Sequence, residues 1–273
     1  MNAAIEYGGV NIDNLKALSQ ELYTPDSIAA YGVGSRFNGY YKPNSDVDII
    51  VVTRKTRGLH DMNRDGFPGP VGYTYLPEET LNTFYAKRHS GLPMRVVPLA
   101  NEQYVTKLAF DTKTELVKRV ASRYQQQAGD GTSVRIPLLL PVAEHLVDFS
   151  RIEWRYTPKY LRALTSSATA DILREEYRPV FDRLAGQGFF TKYGEDDYRV
   201  NPREIVRDSK LREGSFRMMI ELAKAARFGL ALPTIDFRIA WYIGKEAVKV
   251  FPRRKVLKKQ LADIAKMYEP GIE

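Results

Sequence analysis

The chain has 273 residues, enough to bury a core and to form one or two domains. It contains no cysteine, which excludes disulfides, zinc–thiolate sites and a cysteine nucleophile, and its three histidines share no metal-ligand spacing. No signal pattern opens the chain and no segment approaches the length of a membrane span, so we expect a soluble, cytoplasmic protein.

The formal net charge of +8 lies in the second part of the chain. Residues 1–150 carry 16 basic and 16 acidic side chains, whereas residues 151–273 carry 25 and 17. This asymmetry favours a neutral catalytic part joined to a part that contacts a polyanion such as nucleic acid. A basic helical domain without such a partner would have the same composition.

The first 130 residues predict alternating helices and strands. We expect a short helix capped by Asn11 or Asp13, with Leu15, Leu18 and Leu22 on one face, and further helices over 77–88 and 101–127. Strands are expected over 27–33, 46–53, 71–76 and 94–99. The stretch 54–70 is predicted to be a long polar loop. This order predicts an α+β fold, with a mixed sheet and flanking helices in the amino-terminal part and a mainly α-helical carboxy-terminal part.

A polar segment over 125–133 predicts a linker, and three domains follow from it: 1–130, 131–205 and 206–273. After an apolar segment over 136–149, the second domain is predicted to contain helices over 158–164 and 171–185, then a hairpin of 189–193 with 198–200. That order resembles a winged helix. Winged helices either insert their second helix into a DNA groove or bind proteins.

The residue pair Gly34-Ser35 is followed, after ten residues, by Asp46-Val47-Asp48. Because side chains at i and i+2 of a strand point to the same face, Asp46 and Asp48 should project together. Two adjacent carboxylates form a hard-oxygen site that suits Mg²⁺ or Mn²⁺ and bridging phosphates. Glycine leaves room for a phosphate near the backbone of the turn.

This motif, with Ser45 before the acids, resembles the signature of the DNA polymerase β-like nucleotidyltransferase superfamily, closest to its minimal nucleotidyltransferase branch. The match is tight over 27–53 and loose over 1–120. It implies transfer of a nucleoside monophosphate from an NTP, usually ATP, to an acceptor hydroxyl. The implied phosphate-binding residues are Gly34, Ser35, Arg36 and Ser45, and the implied metal ligands are Asp46 and Asp48.

The family usually carries a third carboxylate on a later strand. Here the strand expected over 94–98 has Arg95 where the acid should be. Three explanations stay open at this point: Glu102 or Asp111 supplies the acid, two ligands suffice, or the domain binds a nucleotide without turning it over.

A basic cluster in the last domain is a candidate surface for nucleic acid or for the acceptor; it comprises Lys249, Arg253, Arg254, Lys255, Lys258 and Lys259. It could equally be the solvated face of an amphipathic helix broken at Pro252. The sequence therefore leaves three functions: transfer to a macromolecular hydroxyl on an RNA end or a protein, transfer to a small molecule, and a degenerate domain that binds nucleic acid or acts as a scaffold.

Overall fold

The computed structural model describes residues 6–82, 84–129, 132–152, 156–201 and 251–272. These residues form two compact units. The first contains the described residues of 1–117 and 162–184, and the second contains those of 118–161 and 185–273. The chain therefore leaves the first unit after Val117 and returns to it at Arg162.

Strands and helices are interspersed along the chain. The first elements are β1 (Glu6–Tyr7), β2 (Val10–Asn11), α1 (Ile12–Glu21), β3 (Ser27–Val33), β4 (Val47–Thr53), β5 (Gly58–Met62), β6 (Val71–Pro77), α2 (Glu78–Leu81), α3 (Phe84–His89), β7 (Val97–Ala100) and α4 (Glu102–Ala128). The later elements are β8 (Val134–Pro137), α5 (Leu140–Ile152), α6 (Thr157–Thr165), α7 (Ser167–Gly186), β9 (Phe190–Lys192), β10 (Asp197–Val200), α8 (Arg254–Ala265) and β11 (Gly271–Ile272). Among these described helices, none has the length and apolar character that a membrane crossing requires.

Five strands form the main sheet of the first unit, in the order β5-β6-β4-β3-β7. The strands β4 and β6 run parallel, whereas the other neighbours are antiparallel. The predicted α+β fold with a mixed sheet is therefore confirmed. Because parallel neighbours need a long connection, the chain between β4 and β6 has room for the extra strand β5.

The strand β4 is apolar along most of its length because both faces of the sheet are covered. Ile49 and Val51 pack with Leu15 of α1 on one side. Ile50 packs with Val105 of α4 on the other side. Each such buried side chain contributes roughly 1.5–3 kcal/mol to folding. Polar side chains on β4 are thus confined to its two ends, and the acids stand at its beginning.

The predicted start of α1 is confirmed, and the structure selects one of the two capping residues. The Oδ1 atom of Asn11 accepts hydrogen bonds from the backbone N–H groups of Asp13 at 2.8 Å and Asn14 at 3.2 Å. These bonds satisfy donors that the first turn of a helix leaves unpaired. Asn11 is therefore the cap, and Asp13 lies within the first turn.

The strand β5 lies in the stretch 54–70, which the sequence predicts to be a loop. It is an edge strand that pairs with β6 through its backbone, while Leu59 and Asp61 are exposed, so it has no apolar alternation to reveal it. Two other elements also differ from expectation. The helix predicted over 77–88 is divided into α2 and α3, and the strand predicted over 94–99 begins at Val97.

The second unit contains a smaller antiparallel sheet in the order β11-β8-β10-β9. The hairpin predicted over 189–193 and 198–200 is confirmed as β9 and β10. The strands β8 and β11 were not predicted. The first of them ends inside the apolar segment 136–149, most of which is α5.

The two units do not follow the predicted domains 1–130, 131–205 and 206–273. Residues 162–184, which include most of α7, belong to the first unit rather than to the unit of β9 and β10. The hydroxyl of Tyr177 on α7 donates to the backbone carbonyl of Pro93 at 2.7 Å, and both groups are buried. Contacts between residues so distant in sequence leave no local pattern.

A charged network on α7 also ties that helix to the first unit. Glu176 accepts hydrogen bonds from Arg95 and from Lys113, and Glu175 pairs with Arg95. Lys113 is buried at 4% side-chain exposure. Burial lowers the pKa of Lys113 below its ordinary value, and the Glu176 carboxylate opposes that effect.

We expect the Glu176→Gln variant to lower the free energy of unfolding by about 2–3 kcal/mol at neutral pH, because the buried ammonium of Lys113 loses its counter-ion. Urea unfolding followed by circular dichroism measures the change. The Glu175→Gln variant is the matched control, since Glu175 is 70% exposed and its loss should cost less than about 1 kcal/mol.

The same variant should have a distinctive pH dependence. Without Glu176 the folded-state pKa of Lys113 falls further below 10.5, so the unfolded chain binds more protons than the folded one over that interval. Stability of the variant should therefore rise towards that of the wild type as the pH approaches 10.5. Equal losses in Glu176→Gln and Glu175→Gln at every pH would contradict the proposed role of this pair.

Candidate functional site

Gly34 and Asp48 are in direct contact, although they belong to separate parts of the sequence motif. The antiparallel pairing of β3 with β4 sets Val33 opposite Asp48. Gly34 follows with a φ of +98°, and a Cβ atom there would lie 2.4 Å from Oδ2 of Asp48. Any other residue would be strained and would collide with the carboxylate. The glycine turn and the acids are therefore one site.

Asp46 and Asp48 flank the buried Val47 at the start of β4, and both are partly exposed. The backbone N–H of Val47 donates to the carbonyl of Pro70 at 2.9 Å, which fixes the strand start against the loop before β6. Both acids lie close enough to Tyr40 to influence its hydroxyl. Burial raises the pKa of Tyr40 above its ordinary value, and the charges of Asp48 and Asp46 raise it further.

Ser35 lies inside the turn that follows β3. Its backbone carbonyl accepts hydrogen bonds from the N–H groups of Asn38 at 3.3 Å and Tyr40 at 3.2 Å, so the chain folds back compactly. The hydroxyl of Ser35 is buried and has no hydrogen-bond partner among the residues that the structure describes. An unpaired buried hydroxyl is costly, and a ligand oxygen would satisfy it.

Arg36 does not have the position of a phosphate ligand, which corrects the sequence-based expectation. Its side chain is 3% exposed, and its guanidinium donates to four backbone carbonyls, those of Gly8, Pro43, Ser45 and Pro68, at 2.7–3.3 Å. Burial lowers the pKa of Arg36, and the nearby Tyr41 and Asp46 oppose that effect. Arg36 therefore holds the loop that leads into Asp46.

Ser45, the other predicted phosphate-binding side chain, also stabilises this loop. Its hydroxyl accepts a hydrogen bond from the backbone N–H of Lys42 at 2.9 Å, and its own N–H donates to the carbonyl of Lys42 at 2.9 Å. This pair of bonds closes a turn immediately before the acids. The structure assigns Ser45 a local structural role, and a phosphate contact by it stays a prediction.

The neighbours of β4 are β6 and β3, whereas β7, which follows Arg95, lies on the far side of β3. The strand that the sequence suggested for the third carboxylate is therefore not adjacent to β4. Opposite Asp48 on β6 is Gly72, and opposite Gly72 on β5 is Asp61. A Cβ atom on Gly72 would lie 3.1 Å from Oδ1 of Asp61 and 3.4 Å from Oδ1 of Asp48. The two carboxylates approach one point above the glycine.

The structure does not bring Glu102 or Asp111 to the site. Glu102 begins α4 directly after Asn101, whose side chain donates to the carbonyl of Ile28 near the start of β3. Asp48 lies opposite Val33 at the other end of that strand, roughly 16 Å away at the usual rise per residue. Asp111 is nine residues further along α4, about two and a half turns, and it pairs with Lys107.

Within the described ranges, no group of three or more His, Cys, Asp or Glu side chains is close enough to hold a metal ion. A metal bound here would be held by Asp48 and by Asp46 two residues before it, with Asp61 across Gly72. Carboxylate oxygens suit Mg²⁺, which keeps several waters and takes further ligands from substrate phosphates. The donor set fits such an ion.

The basic cluster lies partly in the described part of the second unit. Arg253, Arg254, Lys255 and Lys259 are exposed, and Lys258 is half-buried. Along α8 the residues 254, 255, 258 and 259 occupy one side, because positions four apart are neighbours on a helix. Lys249 lies outside the described residues. Binding of nucleic acid or of an acceptor by this cluster stays a prediction.

Comparison with known proteins adds no relative to this picture. No protein-family model matches the chain, and no curated protein matches its sequence. The site is defined by its own geometry. The turn at Gly34 lies against the carboxylate of Asp48, and Asp61 approaches Asp48 above Gly72. Asp46 lies two residues before Asp48, and the hydroxyl of Ser35 is buried in the turn.

We expect the Gly72→Ala variant to weaken the binding of Mn²⁺ about tenfold, because the added methyl group would enter the space between Asp48 and Asp61. Titration with Mn²⁺ followed by electron paramagnetic resonance measures the affinity. Gly186→Ala is the matched control, since no atom lies within 4 Å of the position of its added Cβ. Wild-type Mn²⁺ affinity in a folded Gly72→Ala protein would show that the space above Gly72 is not part of a metal site.

Proposed function

We propose that the protein is a Mg²⁺-dependent nucleotidyltransferase, which transfers a nucleoside monophosphate from an NTP, ATP being the first candidate, to a hydroxyl of a macromolecular acceptor. The observation that carries the proposal is the contact between Gly34 and Oδ2 of Asp48. This contact places the backbone of the turn at Gly34 directly beside the carboxylate of Asp48. A site for a metal-bound triphosphate needs both.

Each described residue of the site has a separate task in this reaction. The backbone of Gly34 admits a phosphate close to the turn, and the buried hydroxyl of Ser35 can donate to a phosphate oxygen. Asp46 and Asp48 provide oxygen ligands. A bound Mg²⁺ would neutralise charge on the triphosphate and lower the pKa of the acceptor hydroxyl.

The reaction balances without a further reactant. The acceptor oxygen forms a bond to the α-phosphorus, the bond from that phosphorus to the bridging oxygen of the β-phosphate breaks, and pyrophosphate leaves. Asp61 is the carboxylate that we assign to accept the proton of the acceptor, because its Oδ1 atom approaches the same point above Gly72 as that of Asp48.

The acceptor is proposed to be an RNA end or a protein. The excess positive charge of the second part of the chain supports an anionic or large partner. The order of helices followed by the hairpin β9–β10 suggested a winged helix, but most of α7 belongs to the first unit and the hairpin to the second, so this order adds no support. A basic carboxy-terminal part does not suit a cationic small molecule as the acceptor.

Incubation with each labelled NTP, Mg²⁺ and pools of RNA or protein tests the proposal by release of pyrophosphate. We expect Asp48→Asn to reduce the rate at least about a hundredfold, because the amide is a poor metal ligand and loses the charge. The matched control is Asp171→Asn, which removes the same charge from an exposed position on α7. Equal pyrophosphate release by wild type and Asp48→Asn with every NTP would refute the proposal.

A second candidate function follows from the metal-ligand geometry. Because the described residues contain no close group of three acids, the domain could bind a nucleotide without turning it over and could serve as a nucleic-acid-binding or scaffold protein. This alternative predicts NTP binding with no pyrophosphate release, together with nucleic-acid binding that weakens steeply with salt.

A further inference from the structure

We propose that Arg162 binds the triphosphate of the nucleotide at the Asp46–Asp48 site. The inference rests on the proposed function for the presence of a nucleotide there. The role replaces the one that the sequence suggested for Arg36, whose guanidinium is committed to four backbone carbonyls. Arg162 lies more than a hundred residues from the motif, so the sequence pattern did not include it.

Arg162 is in the last turn of α6, and it belongs to the same unit as the motif. Its Nε atom lies 3.5 Å from the backbone carbonyl oxygen of Tyr40, at the end of the turn that begins with Gly34. This contact is long and therefore weak. The guanidinium has five N–H donors, so most of its donor capacity is not used by that carbonyl.

The helix α7, which begins five residues after Arg162, is packed against the turn. The hydroxyl of Thr169 on α7 donates to the carbonyl of Asn38 at 2.7 Å, and both residues are fully buried. Gly39 has a φ of +75°, and a Cβ atom there would lie 3.3 Å from Cδ1 of Ile172. Arg162 is consequently held beside the turn by contacts that do not depend on its own side chain.

The charge of Arg162 acts at the same place as the charges of the acids. Burial raises the pKa of Tyr40, Asp48 and Asp46 raise it further, and Arg162 opposes them. The Tyr40 hydroxyl therefore lies within electrostatic reach of all three charged groups. Arg162 makes no ion pair with any residue that the structure describes, in contrast to Arg95 and Arg174, which bind carboxylates.

A partly buried guanidinium beside the same turn as two carboxylates suits a metal–triphosphate complex. The carboxylates alone would repel a triphosphate, whereas an arginine can donate to two of its oxygens in parallel. Such a contact also stabilises the charge that develops on the leaving pyrophosphate. The ligand class that this cation recognises is therefore the polyphosphate chain, and neither the base nor the sugar is involved.

Inorganic tripolyphosphate is the probe that tests this inference, because its binding requires no transfer reaction. Isothermal titration calorimetry in the presence of Ca²⁺, with wild type and Arg162→Gln, should give a loss of affinity of roughly ten- to a hundredfold, as expected for one charged hydrogen-bonding group. Arg162→Lys keeps the charge and should retain part of the affinity. Arg174→Gln removes an equal charge from α7 and should leave the affinity unchanged.

Two further measurements separate the possible outcomes. Thermal unfolding of Arg162→Gln should match wild type, since the side chain makes one long contact with the described residues. Arg162 could instead only offset the negative charge of Asp46 and Asp48. In that case Arg162→Gln would bind Ca²⁺ more tightly than wild type and tripolyphosphate equally well, which would overturn the inference. A loss no larger than that of Arg174→Gln, or a wild type that binds no tripolyphosphate, would overturn it as well.

Failure of the proposed reaction leaves a different signature. A wild type that binds tripolyphosphate in an Arg162-dependent manner, but releases no pyrophosphate from any NTP, would support the role of Arg162 and refute transfer. A protein that transfers nucleotide with the same KM in wild type and Arg162→Gln would support transfer and refute the role of Arg162.

Discussion

The buried guanidinium of Arg36 is the interaction on which the arrangement of the site depends. It joins carbonyls from the segment before α1, from the turn before β4 and from the loop before β6. The residues that supply these carbonyls lie outside the helices and strands of the described chain. Hydrogen bonds from one charged group to several carbonyls are stronger than neutral ones, and their loss would leave a buried charge unpaired. The position of Asp46 follows from this clamp.

The sequence predicted the parts of the site that are local in the chain. The sequence has a glycine before the acid-bearing strand and two acids two residues apart. Such patterns depend mainly on local backbone geometry and little on the rest of the fold. In the structure Gly34 and Asp48 are in contact. Arg36 was placed correctly in the motif but misjudged in its role. Its partners include Gly8 and Pro68, which no spacing rule connects to it.

The candidate residues that sequence reasoning missed are defined by pairing and packing. Asp61 became a candidate because β5 pairs with β6 and aligns it with Gly72 and Asp48. The only available signal was Gly72 itself, a glycine within a predicted strand, which often marks a close approach by another group. Tyr40 and Arg162 had no comparable signal, because their proximity depends on how α6 and α7 pack against the turn.

The return of the chain to the first unit places Arg162 beside the turn that leads from Gly34 to Tyr40. In the proposed reaction Asp46 and Asp48 would repel the triphosphate, and a nearby cation would offset part of that repulsion. Arg36 is near Asp46 but is committed to carbonyls, and Arg95 is committed to Glu175 and Glu176. A segment distant in sequence can supply a positive charge beside the turn without weakening the contacts of Arg36. The same packing that buries Tyr177 and Thr169 therefore also determines the electrostatics at Asp46 and Asp48.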